Sequence, residues 1–174
     1  MVRFSSAAAA LTILASPAMA QLASEGGPIQ VSSDNSEVRE RQRQVVVSGN
    51  VDIVQGEARL RADRVTLYYA SNGGGDRSAG IGGGFGDITS MTAEGEVFYV
   101  TPDLKARGDK GIYEAADETI VMTGEVILSR GEDIARGCEL NLDIAAGRST
   151  LTGCNGRVQM VIIPTGDETG GDEG

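Results

Sequence analysis

Residues 104–126, LKARGDKGIYEAADETIVMTGEV, contain the pattern that decides the fold, because the same pattern returns along the whole chain. The stretch opens at Leu104, reaches Asp109 through an Ala-Arg-Gly run, and closes on Gly124 between a threonine and a glutamate. Similar openings begin at Ile29, Leu60 and Ile134, and similar closings contain Gly49, Gly95 and Gly153. Recurrence of this kind is the sequence signature of a repeat architecture.

The repeating units have nearly constant length. From opening to closing glycine they span 20 residues from Ile29 to Gly49, 20 from Leu104 to Gly124, and 19 from Ile134 to Gly153. The unit from Leu60 to Gly95 spans 35 residues, and its excess matches the glycine-rich stretch 71–87. We interpret this stretch as a surface loop inserted into one repeat, since it lacks the Gly-Lys-Ser/Thr of a phosphate loop and the tandem motif of calcium-binding repeats.

Apolar and polar residues alternate within the units. Leu60 and Ala62 alternate with arginines, and residues 65–69 and 139–144 obey the same rule. Alternation with period two predicts half-buried β-strands, with one face packed and the other in water. The sequence therefore predicts an all-β fold, in which each unit is a pair of antiparallel strands and neighbouring units stack around a shared interior.

The predicted interior is aliphatic, since the chain has three Phe, four Tyr and no Trp. Such a lining suits either a thin sandwich with a filled core or a cavity that accepts flexible hydrocarbon. Composition by itself favours the sandwich, because most apolar stripes are ordinary core.

Both ends of the chain differ from the repeats. Residues 1–20 carry Arg3, an uncharged apolar run and the small-x-small pattern Ala18-Met19-Ala20, which predict a cleaved signal peptide and export. Residues 21–164 are then one domain, and the acidic, glycine-rich residues 165–174 are predicted to be a disordered tail.

Composition also limits the chemistry. The chain contains no His, and its two cysteines, Cys138 and Cys154, are too few for a metal site, so we expect no metal, no cofactor and no catalysis. A net charge of −10 with only two lysines argues against nucleic acid as a partner.

The order of these motifs resembles the LptA/OstA family of periplasmic lipopolysaccharide-transport bridge proteins. The resemblance covers essentially the whole chain after the signal sequence, with a larger glycine-rich insertion and with Cys138 where the family usually shows Asp. The matching segments are Pro28 to Asp34, Gly49 to Val51, Gln55-Gly56, Ala62 to Val65, Ala106 to Asp109, Tyr113-Glu114, Val121 to Gly124, Gly147-Arg148 and Arg157 to Pro164.

The resemblance implies an open β-jellyroll that holds the acyl chains of lipopolysaccharide and passes them across the periplasm. Its implied partners are an inner-membrane transport complex and an outer-membrane translocon, together with further copies of the chain stacked head to tail. Two alternatives stay open: a structural β-solenoid scaffold, and the membrane-anchored inner-membrane member of the same transport system, which would keep its N-terminal helix.

Three sets of residues are predicted as sites. The predicted lipid contacts, from the resemblance and from the alternating apolar faces, are Ile29, Val31, Tyr69, Val97, Tyr113 and Val161. A hairpin centred on Ala146 would place Cys138 and Cys154 opposite each other and within disulfide reach in an oxidising compartment. The predicted first strand, Pro28 to Ser33, and the predicted last strand, Arg157 to Ile163, have alternating apolar residues without charge among them. They are therefore predicted to be docking edges that pair with partners through Ile29, Val31, Val158, Met160 and Ile162.

Overall fold

The computed structural model describes residues 27–70 and 87–164, and it contains ten β-strands and one short 3₁₀ turn, Glu40–Gln42. The predicted signal peptide, nearly all of the glycine-rich insertion and the acidic tail lie outside these residues. The strands are β1 Gln30–Ser32, β2 Asn35–Arg39, β3 Gln44–Gln55, β4 Ala58–Tyr69, β5 Ile88–Val100, β6 Lys105–Glu114, β7 Thr119–Arg130, β8 Asp133–Asp143, β9 Arg148–Thr152 and β10 Gln159–Val161.

All ten strands belong to one antiparallel sheet. Its main path runs β1-β3-β4-β5-β6-β7-β8-β10, so the first and last strands lie at opposite ends. At each end, two short strands share one long neighbour: β1 and β2 pair with β3, and β9 and β10 pair with β8. The prediction of an all-β, open jellyroll built from antiparallel strand pairs is confirmed.

A line of β-bulges crosses the sheet. The register shifts occur at Ser48/Val51, Arg61/Arg64, Glu94/Val97, Arg107/Lys110 and Thr123/Val126. Three closing glycines of the sequence repeat, Gly49, Gly95 and Gly124, lie on this line with positive φ. Because a bulge bends its strand, the aligned bulges fold the sheet so that its two halves face each other.

The core lies between these two halves. Val97 and Tyr99 on one side of the bend pack with Met91 and Tyr113 on the other, and together they leave a void of only about 20 Å³. Gln55, a buried polar residue, donates its amide to the carbonyl of Gly27 at 3.0 Å. The middle of the roll is therefore a filled core.

The predicted register of the last hairpin is wrong by one residue. Asp143 pairs with Arg148 and Glu139 with Thr152, so the position opposite Cys138 is Gly153, just after β9 ends. Cys154 lies in the following loop and reaches Cys138 because the chain turns there; the two sulfurs are bonded, with Cα atoms 4.8 Å apart.

Among residues 27–70 and 87–164, the one helical segment is the 3₁₀ turn Glu40–Gln42. The part of the chain that the structure describes contains no helix that is long and apolar enough to cross a bilayer.

Candidate functional site

An apolar groove opens at the N-terminal end of the roll. It has a volume of about 350 Å³, and β1–β5 with the segments around them supply its walls. Its lining contains three hydroxyl-bearing residues, Ser33, Ser36 and Tyr69, and no charged side chain. Its remaining lining residues are Ile29, Val31, Val45, Val47, Leu67 and Ile88.

The alternation of each strand places these side chains in the groove. Leu67 and Tyr69 are two apart on β4 and share its inner face, while Tyr68 between them points to the outer face. Val45 on β3 pairs with Leu67, so the two strands present one apolar surface. A groove walled in this way can bury flexible hydrocarbon while contributing few polar groups that need partners.

The six predicted lipid contacts do not form one site. Ile29, Val31 and Tyr69 lie together in the N-terminal groove. Val97 and Tyr113 belong to the filled middle of the roll, where Val97 is 0% exposed. Val161 lies on β10 at the other end of the sheet and is 61% exposed.

Sequence reasoning missed Val45, Val47, Leu67 and Ile88 as groove residues. Leu67 shares the alternating face of Tyr69, and this signal was available in the sequence. Nothing in one sequence distinguishes inward residues that line an open end from those that fill the middle, because both obey the same period.

A second cleft, of about 360 Å³, lies between the β3–β4 and β5–β6 turns on one side and the end of β8 with the start of β9 on the other. Turn residues around Glu57 and Asp103 form one wall, and Arg148 contributes to the other. Arg148 donates to the carboxylate of Asp143 at 3.1 Å. At the inner end of the cleft, burial, with a smaller effect from Tyr113, raises the pKa of Tyr99 to about 12, so its hydroxyl stays neutral at physiological pH.

The C-terminal end exposes an unusual amount of apolar surface. Met160 is 62% exposed and Ile162 is 65% exposed, although both are large apolar side chains. The backbone N–H of Ile163 donates to Asp133 at 2.9 Å and holds the chain beside the start of β8. An apolar strand at the end of a sheet, with one backbone edge left unpaired by the described residues, is suited to pairing with another chain.

Among the residues that the structure describes, no three His, Cys, Asp or Glu side chains are grouped so that they could hold a metal ion. The features that stand out are one apolar groove and two sheet ends.

Comparison with known families agrees with this arrangement. Residues 30–148 match the family described as the LptA/(LptD N-terminal domain) LPS transport protein. The chain belongs to this family. Members of the LptA family are transport proteins rather than enzymes, and this agrees with the absence of catalysis that the composition predicts.

Individual relatives support the same assignment. An uncharacterised protein of Rhizobium meliloti is 32% identical, with the match covering 91% of this chain and 88% of that protein. The lipopolysaccharide export system protein LptA of Escherichia coli is 23% identical, covering 91% and 83%.

The fold of the family is also found in a solved structure. The crystal structure of LptH from Pseudomonas aeruginosa, described as the LptA-homologous periplasmic component of the lipopolysaccharide transport device, matches with a TM-score of 0.65. The match covers 79% of this chain and 96% of that one at 22% sequence identity, and it establishes the shared fold.

Proposed function

We propose that this LptA-family chain is a periplasmic bridge that holds the acyl chains of lipopolysaccharide and conducts them from the inner to the outer membrane. The N-terminal groove carries this proposal, since Ile29, Val31 and Tyr69 converge there in an open, uncharged, apolar space of about 350 Å³. Each methylene buried there contributes about 0.8 kcal/mol, so an acyl chain of a dozen carbons gains substantially over water.

The two sheet ends give the bridge its direction. In our proposal, the β1 end meets the inner-membrane transport complex and the β10 end meets the outer-membrane translocon. Within the part of the chain that the structure describes, each of these strands pairs with one neighbour, so a partner strand could extend the sheet by hydrogen bonding to the other backbone edge. Copies stacked in this way would bring the β10 end of one molecule against the N-terminal groove of the next.

The test uses two adjacent tyrosines on β4 that point to opposite faces. A photo-crosslinking amino acid at Tyr69, which lines the groove, should label lipopolysaccharide, whereas the same probe at Tyr68 should not. Mass spectrometry of the purified protein, expressed with its native export signal, should also detect co-purifying glycolipid. Equal labelling from Tyr68 and Tyr69 would contradict the groove as the lipid site.

A structural scaffold with a filled core is the second candidate, and the packed middle around Val97 and Met122 favours it. A scaffold would give no lipid labelling from either tyrosine and no co-purifying glycolipid. The membrane-anchored member of the same system is distinguished by its N-terminus: in our proposal, the secreted protein begins at Gln21 after cleavage, and N-terminal sequencing reads this directly.

A further inference from the structure

A side-chain latch recurs at the bend of the sheet. In the first unit, the Asp34 carboxylate accepts a hydrogen bond of 2.8 Å from the Asn50 side chain, 16 residues later. In the third unit, Asp109 accepts a hydrogen bond of 3.3 Å from the backbone N–H of Glu125, again 16 residues later. Each aspartate lies over the closing glycine, Gly49 or Gly124, so closely that an added Cβ there would overlap the carboxyl group.

The Cys138–Cys154 disulfide occupies the same place in the fourth unit. Its sequence separation is also 16. The flanking residues repeat as well, since Ala-Arg-Gly precedes both Asp109 and Cys138, and Thr-Gly precedes both Glu125 and Cys154. The fourth latch is thus a covalent version of the hydrogen-bonded latches in the first and third units.

The chain takes a different path after the fourth latch than after the third. In the third unit, the strand continues directly, and Ile127, three residues after Gly124, pairs with Arg107. In the fourth unit, the residue that pairs with the equivalent Arg136 is Gln159, six residues after Gly153. The chain leaves the sheet between β9 and β10, and only the three residues of β10 rejoin it.

We propose that Cys138 and Cys154 are positioning residues for the docking edge. The disulfide fixes the root of the loop between β9 and β10, and it thereby holds β10 against β8 at the end of the sheet, where no further strand of the described chain supports it. Pairing of this edge with the β1 edge of a second copy of the chain is consequently stronger in the oxidised protein. The claim that this edge is used for docking rests on the proposed function. The placement of β10 against β8 is a property of the single chain and can be measured on the monomer.

The experiment compares the secreted wild type with two double variants. Cys138→Ala with Cys154→Ala removes the latch, and Cys138→Asp with Cys154→Asn rebuilds the hydrogen-bonded Asp34–Asn50 version. Hydrogen exchange at the β10 amides measures strand placement, exchange in β3 and β4 serves as the internal control, and sedimentation measures association. Thiol titration of the denatured, unreduced wild type should find no free sulfhydryl.

We expect the alanine pair to lose at least about tenfold of the amide protection in β10 and to associate at least about tenfold more weakly, with β3 and β4 unchanged. The Asp/Asn pair should recover part of both losses, which a purely covalent requirement would not allow. If the alanine variant does not fold, reduction of the folded wild type supplies the same comparison. Unchanged β10 protection in the alanine variant or the reduced protein overturns the inference. A wild type that is protected in β10 but never associates overturns the docking model and leaves the positioning role intact.

Discussion

At Gly124 the backbone has φ of +105°, and the carboxyl group of Asp109 fills the space where any other residue would place its Cβ. The same relation holds between Gly95 and Asp63. The sequence showed that these glycines recur at the ends of the units. Each glycine is required because it forms a bulge beneath an aspartate of the preceding strand. This contact depends on how neighbouring strands pair, which the spacing of the residues does not specify.

This geometry predicts a difference between two glycines with positive φ. Gly131→Ala, at φ of +61° with open space around it, should destabilise the protein by about 1 kcal/mol through backbone strain. Gly124→Ala adds the overlap with Asp109 and should cost about 2–3 kcal/mol. Urea unfolding measures both free energies. Equal losses for the two variants would show that the aspartate latch does not constrain the bend.

Tyr99 predicts a loss of stability in alkali. Its pKa in the folded protein is raised to about 12 by burial, whereas an unfolded tyrosine ionises near about pH 10. The stability that neutral Tyr99 contributes is therefore fully present below about pH 10 and is lost as the pH rises toward about 12. Over this range the unfolded chain releases the tyrosine proton before the folded protein does, and this favours the unfolded state. Between about pH 9 and about pH 11, the wild type should lose about 1 kcal/mol more unfolding free energy than Tyr99→Phe. Parallel curves for the two proteins would mean that Tyr99 ionises normally when folded.

At the scale of the strand, alternation determines which residues face inward, and the register determines which of them meet. The alternation of residues 139–144 correctly predicted β8, but the turn after it allowed two registers, and the predicted one was off by a residue. A slip of one residue normally moves every side chain of a strand to the other face. Cys154 tolerates the slip because it lies beyond the end of β9, in a loop that can direct its side chain toward Cys138.

The opposite faces of β7 provide a test of the filled middle. Met122 is 0% exposed between the two halves of the sheet, and its neighbour Thr123 points outward. Met122→Ala should cost about 3 kcal/mol, since it leaves a cavity in a core that is already packed. Thr123→Ala should change stability by less than about 0.5 kcal/mol. Leu67→Ala should cost less than Met122→Ala, because Leu67 lines a groove that is already open. A smaller loss at Met122 than at Leu67 would indicate that the middle of the roll is loose.

The molecule as a whole is a bent sheet with two unlike ends. The structure puts β1 and β10 at the two ends of the strand order, and docking at these strands stays a prediction. The sequence predicted this docking from end segments whose alternating apolar residues are not interrupted by charge. It could not predict that the open apolar groove is concentrated near β1, because packing of the two halves closes the middle and this packing involves pairs that are distant in sequence. Ile29, Val31 and Tyr69 consequently remain our lipid-contact proposal, while Val97 and Tyr113 would reach lipid only if the halves separate.

Because the β1 and β10 ends of the sheet differ, we expect the molecules to associate head to tail. Two variants, each blocked at one end and then mixed, can test this. Met160→Pro should block the β10 end, and Val31→Pro should block the β1 end, because proline cannot donate a backbone hydrogen bond to an incoming strand. Each variant keeps the opposite end intact and should be monomeric when alone, with the β-type circular dichroism of the wild type.

Mixed together, the two variants should form a one-to-one dimer and nothing larger, because Met160→Pro supplies an open β1 end and Val31→Pro an open β10 end. Sedimentation of the separate and mixed proteins measures this, with Met160→Ala as a control that keeps the backbone donor and should associate like the wild type. Like-with-like pairing gives a different pattern, since an isologous contact would let one variant dimerise by itself. Dimers of Met160→Pro or Val31→Pro alone, or growth of the mixture beyond a dimer, would therefore rule out an ordered stack in which the β10 end of one copy extends the β1 end of the next.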